Sequence, residues 1–455
     1  MTLSTQERDG ALAGAVRKVS RRVVPLFIVM LICNQIDRGN ISFAQKHLHT
    51  DIGLSAAAYG LGAGLFFIAY ALFEVPSNLL LEKFGPRMWL TRIMVTWGLV
   101  SAAMMLVQGP TSFYVLRFLL GVAEAGFFPA VIYYFTRWLP NSHRGRATAL
   151  FIAGSSIATA ITGPVSGPLL TLDGVAGLHG WQWMFGIEGA LSVVVGVIAY
   201  FLLDNRIGDA RWLTAAEKTA LAEQIGREDA AKTADSRAHG VSRWRLLVSP
   251  KVLLFCWVYF AIQLAIYANT FWLPTIVGRI KGTNDVTVGL LSALPWICAI
   301  IAMYITGRIG DRRGNRKGLL VGALLTAAVG TFFAAIVSPV LALVFLCIAA
   351  MGFKSASPLF WSFPQNGLAP AVVAPAIALI NSLGNLGGFV APYGFGLVKS
   401  ATGQVTGGLY ALAFACLLGA ASVFAFRPRR SADDAPAASA PAVGTQERTT
   451  TFEAP

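Results

Sequence analysis

The sequence predicts an all-α membrane protein, with twelve transmembrane helices in two pseudo-symmetric six-helix bundles. Three observations carry this. Of 455 residues, 55% are hydrophobic and only 13% charged, about half the charge of a soluble domain. Twelve apolar runs are each long enough to cross the roughly 30 Å of bilayer hydrocarbon as a helix. Landmarks also recur at a nearly constant spacing. Glu82-Lys83-Phe84-Gly85-Pro86-Arg87 follows the second run and Asp311-Arg312-Arg313-Gly314-Asn315-Arg316 the eighth, 229 residues on, while Gly163-Pro164 and Ala391-Pro392 lie 228 apart. Such internal repetition is how transporters with duplicated halves are built.

The runs fall near 23–45, 56–80, 87–108, 111–136, 146–171, 183–204, 252–277, 286–309, 317–337, 339–363, 371–398 and 405–426. They divide the chain into a basic leading segment (1–22), a first bundle (23–204), a connecting loop (205–251), a second bundle (252–426) and a tail (427–455). The tail, rich in Ala, Pro, Ser and Thr, has too little apolar surface to fold and is expected to be disordered. In the loop, Thr214-Ala215-Ala216-Glu217 has the spacing of a capping box, so a surface helix is expected over 215–226. No cleavable leader is expected in the first 22 residues.

The net charge of +14 does not gather into one patch, which argues against nucleic acid. Seventeen Lys or Arg lie in one set of short segments and four (Lys46, Arg279, Lys281, Lys399) in the alternate set. By the positive-inside rule both termini are expected to face the cytoplasm. The five cysteines are scattered through apolar runs without a metal-binding or disulfide spacing. There is no GxxxxGK[ST] loop, HExxH or GxSxG, so ATP hydrolysis and enzymatic catalysis are not expected.

Charges inside the apolar runs are the functional signal. Asp37 and Arg38 sit side by side in the first run, where a charge costs roughly 2.5–3.5 kcal/mol or more and usually marks a watery path. Adjacent helical residues point about 100° apart, so the two can serve different partners. In the fourth run Arg117 and Glu124 are two turns apart and share a face. Lys354 is the one strongly ionisable residue deep in the second half, and the repeat offset carries Glu124 to its neighbour Phe353. Asn381 and Asn385 form a polar stripe one turn apart, open to a substrate or to another helix. Glu188, beside the interface-type Trp181 and Trp183, reads as lying near a membrane surface, outside the site.

Gly307-Arg308-Ile309-Gly310-Asp311-Arg312-Arg313-Gly314-Asn315-Arg316-Lys317 resembles the loop signature of the major facilitator superfamily, with Asn315 where Arg is usual. Asp37-Arg38-Gly39-Asn40-Ile41, Tyr70-Ala71-Leu72-Phe73-Glu74-Val75-Pro76, Arg117-Phe118-Leu119-Leu120-Gly121-Val122-Ala123-Glu124 and Trp181-Gln182-Trp183-Met184-Phe185-Gly186-Ile187-Glu188-Gly189 resemble its anion:cation symporter family. The resemblance implies proton-coupled import of a small organic anion, such as a sugar acid, hydroxy diacid or aromatic acid, with no cofactor and a monomeric transport unit. It assigns Asp37 and Glu124 to proton coupling with Arg117 as Glu124's charge partner. It makes Arg38 a carboxylate ligand and Tyr70 a substrate contact; with them, Lys354, Asn381 and Asn385 are expected to bind substrate. Glu82, Arg87, Asp311, Arg312 and Arg316 are expected to gate. Gln35 stands where many relatives carry Tyr, which points to a more polar or differently shaped ligand. The Gly154 to Pro168 stretch partly resembles an antiporter motif, leaving proton-driven export of drugs or metabolites as the alternative.

Overall fold

In the computed structural model, residues 5–236, 249–367 and 370–426 are described, and the regular elements among them are helical. The first half contains α1 (Thr5–Gly39), α2 (Ile41–Ile52), α3 (Ala56–Phe84), α4 (Pro86–Ala103), α5 (Pro110–Glu124), α6 (Phe127–Trp138), α7 (Asn141–Leu170) and α8 (Gly180–Leu202), followed by the connecting α9 (Ala215–Ser236). The second half contains α10 (Pro250–Val277), α11 (Asp285–Arg313), α12 (Arg316–Ile336), α13 (Pro339–Gly367), α14 (Pro370–Asn385), α15 (Gly387–Thr402) and α16 (Thr406–Val423). The tail expected over 427–455 lies outside the described residues.

Local chemistry sets the helix ends. Ser55, Ser249 and Asn284 cap α3, α10 and α11 by accepting backbone N–H bonds, and Pro86 and Pro110 stand in first turns, where a missing N–H costs nothing. Gly85 and Gly314, at matching points of the two halves, both take positive φ, 82° and 66°, a conformation that disfavours other residues. Asn315 then caps α12, its Oδ1 accepting from Gly318 N at 2.9 Å. The departure from the signature at this position thus has a local structural use.

Eleven helical stretches among the described residues are long and apolar enough to cross a membrane. The run at 371–398 is the exception: it is two 16-residue helices, α14 and α15, meeting at Leu386. Two further runs expected to be continuous are also broken. The first parts at Asn40 between α1 and α2, and the fourth between Glu124 and Phe127, where Gly126 has φ 89°. At membrane depth, broken backbone is tolerated where protein buries it or a cavity hydrates it.

Within the first bundle α4 packs on α8, α3 on α5 and α1 on α7; in the second, α12 packs on α13 and α16, and α11 on α13. Lipid gives helices no hydrophobic reason to associate, so close approach through small residues does much of the work: Gly98 of α4 meets the backbone of Gly189 on α8, and Gly352 of α13 that of Ala323 and Ala327 on α12.

The bundles join mainly through α7 with α11 and α3 with α15. At one junction the backbones of Gly163 and Gly289 touch; at the other, Gly60 meets the Pro392 carbonyl. Gly60 to Gly289 and Gly163 to Pro392 are each 229 residues, so one contact has been made twice. Side chains reinforce this end of the molecule, remote from the termini. Thr275 donates to Gln45 at 2.8 Å, Tyr59 to the Phe271 carbonyl at 3.2 Å, and His47 lies 3.2 Å from Asp285. At the opposite end, α9 braces the first bundle, packing on α1 and α6. Glu217 pairs with Lys18 at 2.7 Å, and Glu228 accepts from Asn141 N at 2.9 Å. The capping box forms, with Thr214 N donating to Glu217 Oε2 at 2.8 Å and Glu217 N to Thr214 Oγ1 at 3.3 Å.

Candidate functional site

All three helix breaks carry polar side chains. At the end of α1, Asp37 is 1% exposed and accepts three hydrogen bonds, from Trp97 Nε1 at 2.8 Å, Ser101 Oγ at 2.6 Å and Ser192 Oγ at 2.5 Å. Every donor is neutral, so the acid is solvated by protein dipoles and not by a counter-ion. Such an arrangement tolerates either protonation state better than bare hydrocarbon does.

Arg38 turns the other way. Its guanidinium pairs with Glu124 at the last residue of α5 and lies over the rings of Phe66 and Tyr70, 5.2 and 4.9 Å from their centroids. The Glu124 side chain is sealed, and the Arg38 side chain keeps 21% of its surface exposed. One carboxylate oxygen, Glu124 Oε2, is buried with no hydrogen-bond partner. The guanidinium has five donors, so an anion arriving from the exposed side can share or displace the Glu124 contact.

Arg117 does not take the expected place as Glu124's direct partner. It is 1% exposed and donates to the carbonyls of Gly62 and Ala63, each at 3.4 Å, with its guanidinium 5.0 Å from the Phe66 centroid. The break at Gly126 ends α5 at Glu124, beside the end of α1, while Arg117, two turns back, faces α3. Arg38 and Arg117 therefore share the Phe66 ring, and only Arg38 holds the acid.

In the second bundle Asn385 Oδ1, at the α14–α15 break, accepts from Gln263 at 3.1 Å and Tyr267 at 3.5 Å; Asn381, one turn away, is half-buried. The Tyr267 ring packs on Phe67 of the first bundle at 4.6 Å, within electrostatic range of Arg38 and Glu124. Lys354 is half-buried with its ammonium 5.4 Å from the Trp296 centroid. Among the described ion pairs it has no carboxylate partner.

Of the expected gate residues, Arg87 is the one whose partners are described in full. Arg87 donates to the Tyr200 carbonyl at 2.7 Å, lies over that ring, and its backbone N–H reaches Asn205. All of these partners belong to its own half. Glu82, Arg312 and Arg316 are exposed, and the Asp311 side chain lies outside the described residues. Gln35 donates to Thr159 at 3.4 Å.

Trp97, Ser101, Ser192, Phe66, Gln263 and Tyr267 went unread in the sequence. A signal existed for two pairs: Trp97 with Ser101, and Gln263 with Tyr267, are polar or amphipathic residues at i, i+4 in otherwise apolar helices, which places them on one face.

Comparison with known proteins agrees with this architecture. The Major Facilitator Superfamily model matches residues 27–392. A quinolone resistance transporter from Acinetobacter baumannii is 43% identical over 89% of this chain and 93% of its own. A protein from Agrobacterium vitis whose name assigns it to tartrate transport is also 43% identical, over 90% of each chain. The inner membrane transport protein RhmT of Escherichia coli K12 is 36% identical over 92% of this chain and 97% of its own. Among solved structures, a bacterial homologue of the lysosomal transporter Spinster superposes with a TM-score of 0.74 over 89% of this chain and 96% of its own. The D-xylose-proton symporter does so with 0.72 over 90% and 98%; at 15% identity these two show the fold. The chain therefore belongs to the major facilitator superfamily, as a multi-pass membrane transporter consistent with members of the anion:cation symporter type.

Proposed function

We propose that the protein is a proton-coupled symporter that imports a small organic anion, a sugar acid, hydroxy diacid or aromatic acid, across a bacterial inner membrane by alternating access. The observation that carries this reading is the Arg38–Glu124 pair at a helix break, partly exposed on the Arg38 side and one residue from the cation-free Asp37. A proton on Glu124 weakens its hold on the guanidinium and frees a planar fork suited to a carboxylate. Loss of that proton restores the internal pair and expels the anion. Asp37, next to Arg38 on α1, gives a second protonation point. Lys354, Asn381, Asn385 and Tyr70 complete the binding surface, with Lys354 the candidate for a second acidic group on the substrate. The relative named for tartrate supports an organic acid.

In this reading both termini are cytoplasmic and the joined end faces outward, so the conformation is inward-facing. Glu82, Arg87, Asp311, Arg312 and Arg316 would meet when the bundles rock to close the cytoplasmic side. The transport unit is a monomer. The alternative, proton-driven export, is favoured by the quinolone resistance relative.

Proteoliposomes with an imposed pH gradient separate the two. Symport predicts that acid outside drives accumulation of a labelled hydroxy diacid, sugar acid or aromatic acid, and that Glu124→Gln keeps counterflow exchange while losing accumulation. Undiminished pH-driven accumulation by Glu124→Gln removes the coupling role. Proton-driven extrusion of a fluoroquinolone, with no organic acid accumulated, replaces the symport reading with export.

A further inference from the structure

Glu188, which the sequence placed near a membrane surface, is in the interior. It is 2% exposed on α8 and is the only charged residue of that helix. Its carboxylate accepts from Asn40 Nδ2 at 2.9 Å and Ser166 Oγ at 2.8 Å. Both donors are neutral. They come from the α1–α2 break and from α7, so two separate parts of the first bundle converge on this acid of α8.

The charged and titratable groups on the elements around it do not neutralise it. On α1 the nearby groups are Asp37 and the Cys33 thiol, while Arg38 is paired with Glu124. On α2, His47 lies against Asp285 and Asp51 accepts from Trp181, with Lys46 and His49 beside them toward the junction end. Arg87 and Arg92 stand in the first two turns of α4 and Arg144 and Arg146 in the first turns of α7, toward the opposite end. An ionised carboxylate this buried, supported by two neutral hydrogen bonds, carries a large desolvation cost, and a bound proton removes it.

Two connections give that proton a consequence. Glu188 and Ser192 are one turn apart on α8, and Asp37 and Asn40 one turn apart near the end of α1; the bonds Ser192 to Asp37 and Asn40 to Glu188 therefore form a two-rung ladder joining two acids. Ser166 lies between Gly163 and Gly167, whose backbones touch Gly289 and Asp285 across the junction between bundles. A charge appearing on Glu188 thus calls for new donors or water next to the α7 surface that holds the bundles together.

We propose that Glu188, held by Asn40 and Ser166, is a further proton-binding site of the first bundle, distinct from Glu124 and Asp37, and that its occupancy favours the joined state of the α7–α11 junction. This deepens the proton-coupled reading above. The test is pH-dependent infrared difference spectroscopy on the purified full-length protein, read in the protonated-carboxyl stretch. Glu188→Gln is expected to lose one component and Ser166→Ala to shift it upward, because a hydrogen bond to the carbonyl is gone. Should Glu188→Gln fold poorly, Ser166→Ala alone decides. An unchanged carboxyl region in the folded variants overturns the site. Maleimide labelling of Ser292→Cys, 3% exposed and one turn from the Gly289 contact on α11, is expected to rise with pH and to become pH-independent once Glu188→Gln is added; the same pH response with and without Glu188→Gln overturns the link. If a pH gradient drives no accumulation while the Glu188 component persists, the symport reading falls and the site stands.

Discussion

The two bundles repeat one backbone plan and divide the chemistry unequally. The first holds Asp37, Arg38, Arg117, Glu124 and Glu188 in its interior, while the second presents Gln263, Tyr267, Asn381 and Asn385 with Lys354. The contacts between them are nevertheless the same contact made twice, Gly60 with Pro392 and Gly163 with Gly289. Touching backbones leave no volume for a side chain, so positions at a junction are held to small residues or to proline. Side chains at the helix breaks face polar neighbours and are free to diverge. A symmetric scaffold has in this way come to carry an asymmetric site, with acids and their arginine on one side and neutral amides with a single lysine on the other.

The largest effect expected from this division is at Arg38. Arg38→Ala removes the exposed cation and leaves Glu124 unpaired, a loss of about 3 kcal/mol or more, so organic-anion uptake should fall at least about 100-fold. Uptake within a few-fold of wild type would move anion recognition to the second bundle and break the comparison. Next, Gly60→Ala and Gly163→Ala should each impair transport by about 10-fold, a strain of 1–2 kcal/mol, and spin-label distances should show the junction end opening in both. Opening in one variant alone would show that the repeated contacts differ in weight. Lys354→Ala should lower diacid uptake about 10-fold and monoacid uptake little, the loss of one charge-assisted contact of roughly 1.5 kcal/mol. Equal losses for both substrates would assign Lys354 to packing against Trp296.

The smallest effect lies outside the membrane, at the α9 brace. Partial desolvation would raise the Glu217 carboxyl, but the Lys18 hydrogen bond and those of Thr214 outweigh it and hold the group below its ordinary range. A lowered carboxylate stabilises the fold above its unfolded-state value, and that contribution disappears as the pH falls through the lower folded value. Glu217→Gln should therefore reduce stability at neutral pH by about 1 kcal/mol or less, for a pair whose lysine is well exposed, read as a lower Tm. The two proteins should converge in acid, and a gap that widens there would contradict the assignment.

The fold class was legible because hydrocarbon imposes one simple demand. Each crossing must be long, apolar and internally hydrogen-bonded, and each crossing of this chain carries that pattern in sequence. The landmark pairs exposed the duplication, Thr214 and Glu217 announced the helix that follows them, and charge at membrane depth brought Asp37, Arg38 and Glu124 to notice. Their wiring was not legible. Spacing put Arg117 and Glu124 on one face and the family resemblance paired them, yet two turns of α5 separate them, so that Glu124 meets Arg38 of α1 while Arg117 reaches the carbonyls of Gly62 and Ala63 on α3.

Composition, periodicity and spacing along one chain thus determined that this protein crosses a membrane many times, in two like halves, with ionisable groups inside. The tertiary structure alone decided which charge answers which, that Asp37 rests on Trp97, Ser101 and Ser192, and that Glu188 lies deep within the bundle. The physical reason is range. Membrane crossing is a property of consecutive residues in a common solvent, whereas the partners of buried Asp37 come from helices 60 to 155 positions away and are chosen by where each helix bends.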